Sequence, residues 1–171
     1  MFSNNLLRLP ILLICLATPA WVLALTGDRD QPMNLEADSV SIDEQTGVSL
    51  YEGNVVITQG SLKLWADRLW IHRRDGKTEK LISEGNPTRF RQLTDDQQEV
   101  RGRALRAEFY IDRDELLLFD KAVLEQGADR FRNDRIVYNR ATTQVRAGAS
   151  AEGKERVQVI IEPRKSEEPS Q

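Results

Sequence analysis

GNVVITQGSLKLWADRLWIH, residues 53–72, is the stretch that decides how this chain folds. Val55 and Ile57 alternate with Val56 and Thr58, and after a Gln59-Gly60 turn Leu62 and Leu64 alternate with Lys63 and Trp65. Past Ala66-Asp67-Arg68 the apolar positions change parity, to Leu69 and Ile71. Alternation with period two marks a strand with one buried face. A change of parity marks a corner or bulge, where the chain bends so that the next segment still aims inward. The block reads as three short strands around one apolar lining, with Trp65 and Trp70 on the outward parity.

The block has echoes along the chain. ADSVSID (37–43), ADRLWIH (66–72), ALRAEFY (104–110) and NDRIVYN (133–139) align, with inward pairs Val40/Ile42, Leu69/Ile71, Ala107/Phe109 and Ile136/Tyr138. A second series, GNVVIT (53–58), NPTRFR (86–91) and DKAVLE (120–125), has inward pairs Val55/Ile57, Thr88/Phe90 and Ala122/Leu124. A strand-turn-strand unit cannot bury its apolar face alone, so its copies must stack. The two series are expected to form the two walls of one layered structure.

Working outward, Met33, Leu35 and Ala37 form an N-terminal strand, and Arg156–Ile161 a final one stopped by Pro163. Turns recur at Asp43–Gly47, Arg73–Lys77, Thr94–Glu99, Asp112–Asp114, Asp120-Lys121 and Gly127–Asp129. No stretch keeps a helical period. The expected fold is all-β, about 14–16 short strands, since short strands with frequent turns specify a sandwich, jelly roll or barrel.

The N-terminus is a separate matter. One basic residue, Arg8, precedes the apolar run LPILLICLA, and Val22-Leu23-Ala24 offers a cleavage site. This is the layout of a secretory signal peptide. The run is shorter than the roughly 20 apolar residues needed to span a bilayer. Residues 1–24 are therefore read as a cleaved leader, 25–163 as one β domain, and 164–171 (RKSEEPSQ) as a charged tail too poor in apolar residues to stay ordered. Cys15, the only cysteine, lies in the leader, so the secreted chain has no disulfide or thiolate site. Losing Arg8 takes the net charge from −3 to −4. No nucleic-acid partner is expected, because that would call for a basic excess or stripe.

Catalytic and metal residues are read as none. His72 is the sole histidine, at a strand end beside Arg73 and Arg74. No Cys/His cluster, nucleophile elbow or phosphate loop is present. The acidic pairs Asp95-Asp96 and Asp112/Asp114 fall in polar turns and read as solvated charge, so a glycan hydrolase finds no carboxylate pair facing inward. The inward positions are mostly medium aliphatics, with few large aromatics to plug the interior. They also continue into both terminal strands, where a closed fold would protect its ends. An open edge strand invites another strand, and a head-to-tail contact of this kind propagates.

LTGDRDQPMNLEAD (25–38), GNVVITQGSLKLWAD (53–67) and GKERVQVIIEP (153–163) together resemble the periplasmic A component of the lipopolysaccharide transport (Lpt) system, within the OstA-like domain family. The resemblance covers nearly all of Leu25 to Pro163. It implies a twisted jelly roll of antiparallel strands with open edges at both ends and an apolar interior groove that binds lipopolysaccharide through its lipid A moiety, needs no cofactor, and works in the periplasm. By the family pattern, Met33, Leu35, Phe90, Phe109 and Ile111 are acyl-chain contacts. Leu64, Ile71, Leu116 and Leu118 are lining residues with a stronger packing role. The edge-strand interfaces fall to Asn34 and Glu36 at one end and to Val157, Val159 and Ile161 at the other. The resemblance places a C-type inner-membrane component at the N-terminal edge and a D-type outer-membrane component at the C-terminal edge, with head-to-tail homo-oligomers between. The competing expectation is an envelope assembly protein that pairs β edges without carrying lipid.

Overall fold

A computed structural model describes residue 28 and residues 31–161. The leader (1–24) and the tail (164–171) lie outside the described residues. The strands are β1 (Asn34–Glu36), β2 (Ser39–Asp43), β3 (Val48–Gln59), β4 (Leu62–Arg74), β5 (Lys77–Leu93), β6 (Glu99–Tyr110), β7 (Glu115–Gln126), β8 (Asp129–Asn139), β9 (Gln144–Ala147) and β10 (Gln158–Ile160). All pair antiparallel in one sheet of order β1-β3-β4-β5-β6-β7-β8-β10, with β2 added to β3 and β9 to β8.

This single sheet becomes two layers because every long strand bends at the same level. Register shifts fall at Glu52/Val55, Trp65/Arg68, Glu84/Thr88, Arg103/Arg106 and Phe119/Ala122. Each is a corner of the kind the parity change at Ala66-Asp67-Arg68 specifies. The expected short strands are therefore mostly arms: β3 to β8 each give one arm to either layer, and β1, β2, β9 and β10 complete the ends. Lys80–Ile82 and NPTRFR, separate runs in the sequence, are two arms of β5 joined through a cis Asn86-Pro87 corner.

The corner residues satisfy the backbone where the ladder is interrupted. The Asp67 carboxylate accepts from the Asn86 N–H at 3.2 Å, and the Asp134 carboxylate from the Lys154 N–H at 2.8 Å. Asp38 accepts from the Asn54 amide at 2.9 Å and packs where a side chain on Gly53 would sit. With φ at +79°, Gly53 has a second reason to be glycine. Thr88, buried at the corner of β5, donates its hydroxyl to the Trp65 carbonyl at 3.1 Å and pairs with the Ser83 hydroxyl at 3.0 Å. A buried hydroxyl left without partners would cost about 1–3 kcal/mol.

The two aligned series separate as expected. Segments 37–43, 66–72, 104–110 and 133–139 run from the corners into the first layer, and 53–58, 86–91 and 120–125 into the second. One apolar cluster joins Ala107, Leu116, Leu118 and Ile136 of the first layer to Phe90, Val100, Ala122 and Leu124 of the second. Another joins Leu69 and Leu81 to Val55, Ile57 and Ala66. The layers thus face each other across their inner faces. Burying each large aliphatic there contributes about 1.5–3 kcal/mol.

Candidate functional site: the inner apolar face

Cross-strand register builds a continuous apolar row along each layer. In the second layer Leu35 stands opposite Ile57, Ile57 opposite Leu64, and Leu64 opposite Phe90. Gly102, Leu124 and Phe131 carry the row on to Val159 of β10. In the first layer a row from Ile42 passes through Ser49, Ile71 and Leu81 to Phe109, Leu116, Tyr138 and Val145. Directly opposed residues lie within reach of one another's side chains, so each row is one surface.

Its exposure is uneven. Leu118 is 1% exposed, and Leu116 and Phe90 are 6% exposed, held in the core between the layers. Leu35, Leu64, Ile71 and Phe109 are half-buried against the same clusters, and Phe109 touches both of them. Met33 is 41% and Ile111 40% exposed at the periphery. The inner face also surfaces at both ends. Val40 and Ile42 of β2 keep the inward parity yet stand more than half exposed, because no further strand covers them. Val157, Val159 and Ile161 are exposed at the other end, at 40%, 44% and 73%. Asn34 and Glu36, on β1, are exposed on the opposite parity to Leu35.

Two expectations change. The interior holds more aromatic bulk than the aliphatic impression of the sequence suggests. Phe90 and Tyr138 are buried, and Phe109 and Phe131 pack against them, so the middle of the face is filled while its ends are bare. Asp114 is not a solvated turn charge either. It is buried, 3.9 Å from Arg140, whose guanidinium lies 4.9 Å from the centre of the Phe109 ring. Turn composition hid this, because Arg140 is brought back over Asp114 only by the β7–β8 pairing. Asp95 and Asp96 are exposed in their turn, as expected.

Polar groups gather on the side away from the corners. Asp28 accepts from the Ser61 N–H at 2.7 Å, the Ser61 hydroxyl at 2.6 Å and the Gln92 amide at 3.1 Å. Burial opposes the charge on Asp28. The hydrogen bonds from Ser61 and Gln92, helped by the positive charge of Arg140, outweigh it and hold the carboxyl below the usual carboxylate range. His72 lies half-buried on the outer side of the first layer, where burial and the neighbouring Lys80 lower its pKa. Among the described residues there is no group of three or more His, Cys, Asp or Glu placed to hold a metal ion.

Trp65 and Trp70 face outward, each beneath a cation: Lys63 Nζ lies 5.4 Å from the Trp65 ring centre, and the Arg68 guanidinium 5.4 Å from that of Trp70. Sequence reasoning assigned no role to the arginines that share the outer face with Trp65. Their signal was the Arg-x-Arg spacing at 89/91 and again at 101/103.

Comparison with known proteins places this architecture. The family described as LptA/(LptD N-terminal domain) LPS transport protein matches residues 34–144. The lipopolysaccharide export system protein LptH of Pseudomonas aeruginosa is 31% identical over 150 residues, covering 84% of this chain and 86% of the relative. The lipopolysaccharide export system protein LptA of Escherichia coli K12 is 34% identical over 141 residues, covering 80% and 76%. Its namesake from Haemophilus influenzae is 30% identical over 164 residues, covering 94% and 92%. The crystal structure of P. aeruginosa LptH, described as the LptA-homologous periplasmic component of the conserved lipopolysaccharide transport device, matches with a TM-score of 0.73 at 28% identity, over 81% of this chain and 100% of that one. A sheet folded into two layers with open ends, and kinship at this level along most of its length, place the chain in the LptA/LptD N-terminal domain family of lipopolysaccharide transport proteins, to which it belongs.

Proposed function

We infer that the protein carries lipopolysaccharide through the periplasm as one link of a bridge between the inner and outer membranes, shielding the lipid A acyl chains on its inner face. The observation that carries this reading is the apolar row from Leu35 to Val159, which crosses the whole second layer and is bare at its end. Each CH₂ kept from water is worth about 0.8 kcal/mol, so a twelve-carbon chain left in water costs roughly 10 kcal/mol. A lipid with several such chains does not cross an aqueous space unaided. Passage also requires that no single position bind too tightly. Graded contact with Met33, Leu35, Phe109 and Ile111, backed by Leu64 and Ile71, suits movement better than a polar pocket, and Phe90, Leu116 and Leu118 join it only where an arriving chain parts the layers.

The same row explains how links join. Related jelly rolls pair edge to edge, the C-type component at the edge of Asn34 and Glu36 and the D-type component, or a second copy, at the edge of Val157, Val159 and Ile161. The inner face then continues from one fold into the next. Residues 1–24 serve as the removed leader, and the intact mass of the periplasmic protein is expected to begin after Ala24; retention of Met1–Ala24 would make it an anchored component instead. The protein performs no covalent chemistry; its relatives are named as export proteins. An edge-pairing scaffold without cargo would cover the same bare ends, but the relatives are named as lipopolysaccharide export proteins.

Site-specific photo-crosslinking tests the transport reading. A probe at Phe109 is expected to capture lipopolysaccharide, one at Asn34 the C-type component, and one at Val159 a second copy or the D-type component. A probe at Leu50, on the outer face of the first layer, is expected to capture no lipid. Equal labelling at Phe109 and Leu50 removes the inner face as the cargo path.

A further inference from the structure

The outer face of the second layer carries an arginine block that the inner-face chemistry leaves unused. Arg89 and Arg103 stand directly opposite each other on β5 and β6, and Arg91 and Arg101 do the same two residues along. Like charges in direct cross-strand opposition repel. Arg101 is held by Glu99 at 3.2 Å. Arg89, Arg91, Arg103 and Arg132 have no ion-pair partner among the described residues.

The first layer treats its outward arginines differently. There Arg68 meets Glu84 at 2.9 Å, Arg106 meets Glu84 at 3.0 Å and Glu108 at 2.6 Å, and Arg146 meets Glu115 at 3.0 Å. Arginine pairing is thus dense on the first outer face and sparser on the second, where Arg130, 2.7 Å from Glu125, and Arg101 are the paired ones. The basic face is also concave. A groove of about 1190 Å³ runs along it, bordered by seven basic and four acidic side chains and including Trp65, Leu105 and Val123.

These features specify a ligand chemistry. A guanidinium presents a planar fork that matches phosphate oxygens two at a time. Neighbouring strands lie about 4.8 Å apart, and two residues along a strand span about 7 Å, so Arg89, Arg91, Arg101 and Arg103 frame a patch the size of one sugar phosphate. Trp65 stands directly opposite Arg89 and lines the same groove. A concave groove does not match a flat bilayer.

We propose that this outer groove binds the phosphorylated sugars of the same glycolipid whose acyl chains travel on the inner face. The proposal rests on the transport reading above. The Arg91/Arg101 pair lies two residues, about 7 Å, from the end of the β5–β6 ladder at Leu93 and Glu99, so sugars leaving the inner face on that side reach it by turning over that rim. The protein thereby holds its cargo at both ends of the molecule, apolar on one side of the second layer and anionic on the other.

The test uses the full secreted chain and lipid-free core oligosaccharide released from lipopolysaccharide by deacylation. Binding is expected for the phosphorylated oligosaccharide, to weaken at least tenfold after phosphatase treatment, and to weaken similarly in the Arg89→Gln/Arg103→Gln variant. Displacement of a fluorescent fatty acid from the inner face is expected to stay unchanged in that variant. Arg91→Lys, which keeps the charge and loses the fork, is expected to bind several-fold more weakly, and serves if the double variant proves unstable. Binding that ignores both phosphate and the arginine substitutions overturns the proposal. So does a variant that loses affinity only for phosphatidylglycerol vesicles. Lipid capture at Phe109 without oligosaccharide binding overturns the outer site and leaves transport standing. Oligosaccharide binding without capture at Phe109 does the reverse to the transport reading, and with it removes the premise that one molecule spans both faces.

Discussion

Ile111→Asp is expected to yield a folded protein that fails to capture lipopolysaccharide. Ile111 keeps the inward parity of Ala107 and Phe109 and donates its backbone N–H to the Glu79 carbonyl at 3.0 Å, at the rim of the first layer. At 40% exposure its side chain gives little to folding, so the carboxylate stays hydrated in the free protein and the change in stability should be within about 1 kcal/mol. An arriving acyl chain must strip that hydration. Desolvating a polar group without a partner costs roughly 2–7 kcal/mol, and each 1.4 kcal/mol is tenfold in affinity. Capture should therefore fall at least about tenfold, while Ile111→Leu should behave as the parent. The measurements are the thermal transition, displacement of a fluorescent fatty acid, and lipopolysaccharide export in cells relying on the variant. A folded Ile111→Asp protein that still exports would favour the cargo-free scaffold. The same charge at Phe90 is a poorer test, because at 6% exposure it would disturb the core before any lipid arrived.

The contrast between Ile111 and Phe90 shows where sequence reasoning reached its limit. Both lie on the inward parity, and period-two alternation treats them alike. Parity reports which face a residue is on; exposure depends on how many strands lie beyond it and on what the opposite layer places against it. Val40 and Ile42 repeat the pattern of Leu69 and Ile71, yet Leu69 is fully buried and Val40 is 56% exposed, because β2 ends the first layer. The corners were readable because a bulge shifts the phase of alternation within a few residues, as at Ala66-Asp67-Arg68. The continuity of strands through those corners was not, since the hydrogen bonds that join two arms leave no mark on side-chain pattern. The arginine block needed register as well. Arg89 and Arg103 are 14 residues apart in sequence and become neighbours only when β5 and β6 pair.

Register also accounts for the second large expected effect, which lies at Gly102. It faces inward between Val100 and Ala104, directly opposite Phe90. Gly102 has no left-handed backbone to excuse a glycine there; the reason is space. A Cβ at this position would overlap the edge of the Phe90 ring at Cε1 and lie 2.7 Å from Cζ. The ring has little room to retreat, since it packs in the cluster that holds Val100, Leu118 and Leu124. Gly102→Val therefore overpacks the face and forces the ring aside. Overpacking costs about 1–3 kcal/mol, and removing a buried phenylalanine about 3–5 kcal/mol. A loss near 3 kcal/mol is expected, which for a domain of this size lowers Tm by about 6–12 °C. Phe90→Ala alone should cost a similar amount through the cavity it leaves. Combined, the valine occupies part of the space vacated by the ring, so the double variant should be more stable than the sum of the single effects predicts by about 1–2 kcal/mol. Denaturant titration of the parent and the three variants measures that coupling. Strictly additive effects would mean that Phe90 and Gly102 do not share one packing site. A Gly102→Val protein as stable as the parent would mean that the ring already moves freely, and that the middle of the inner face is open to cargo without rearrangement.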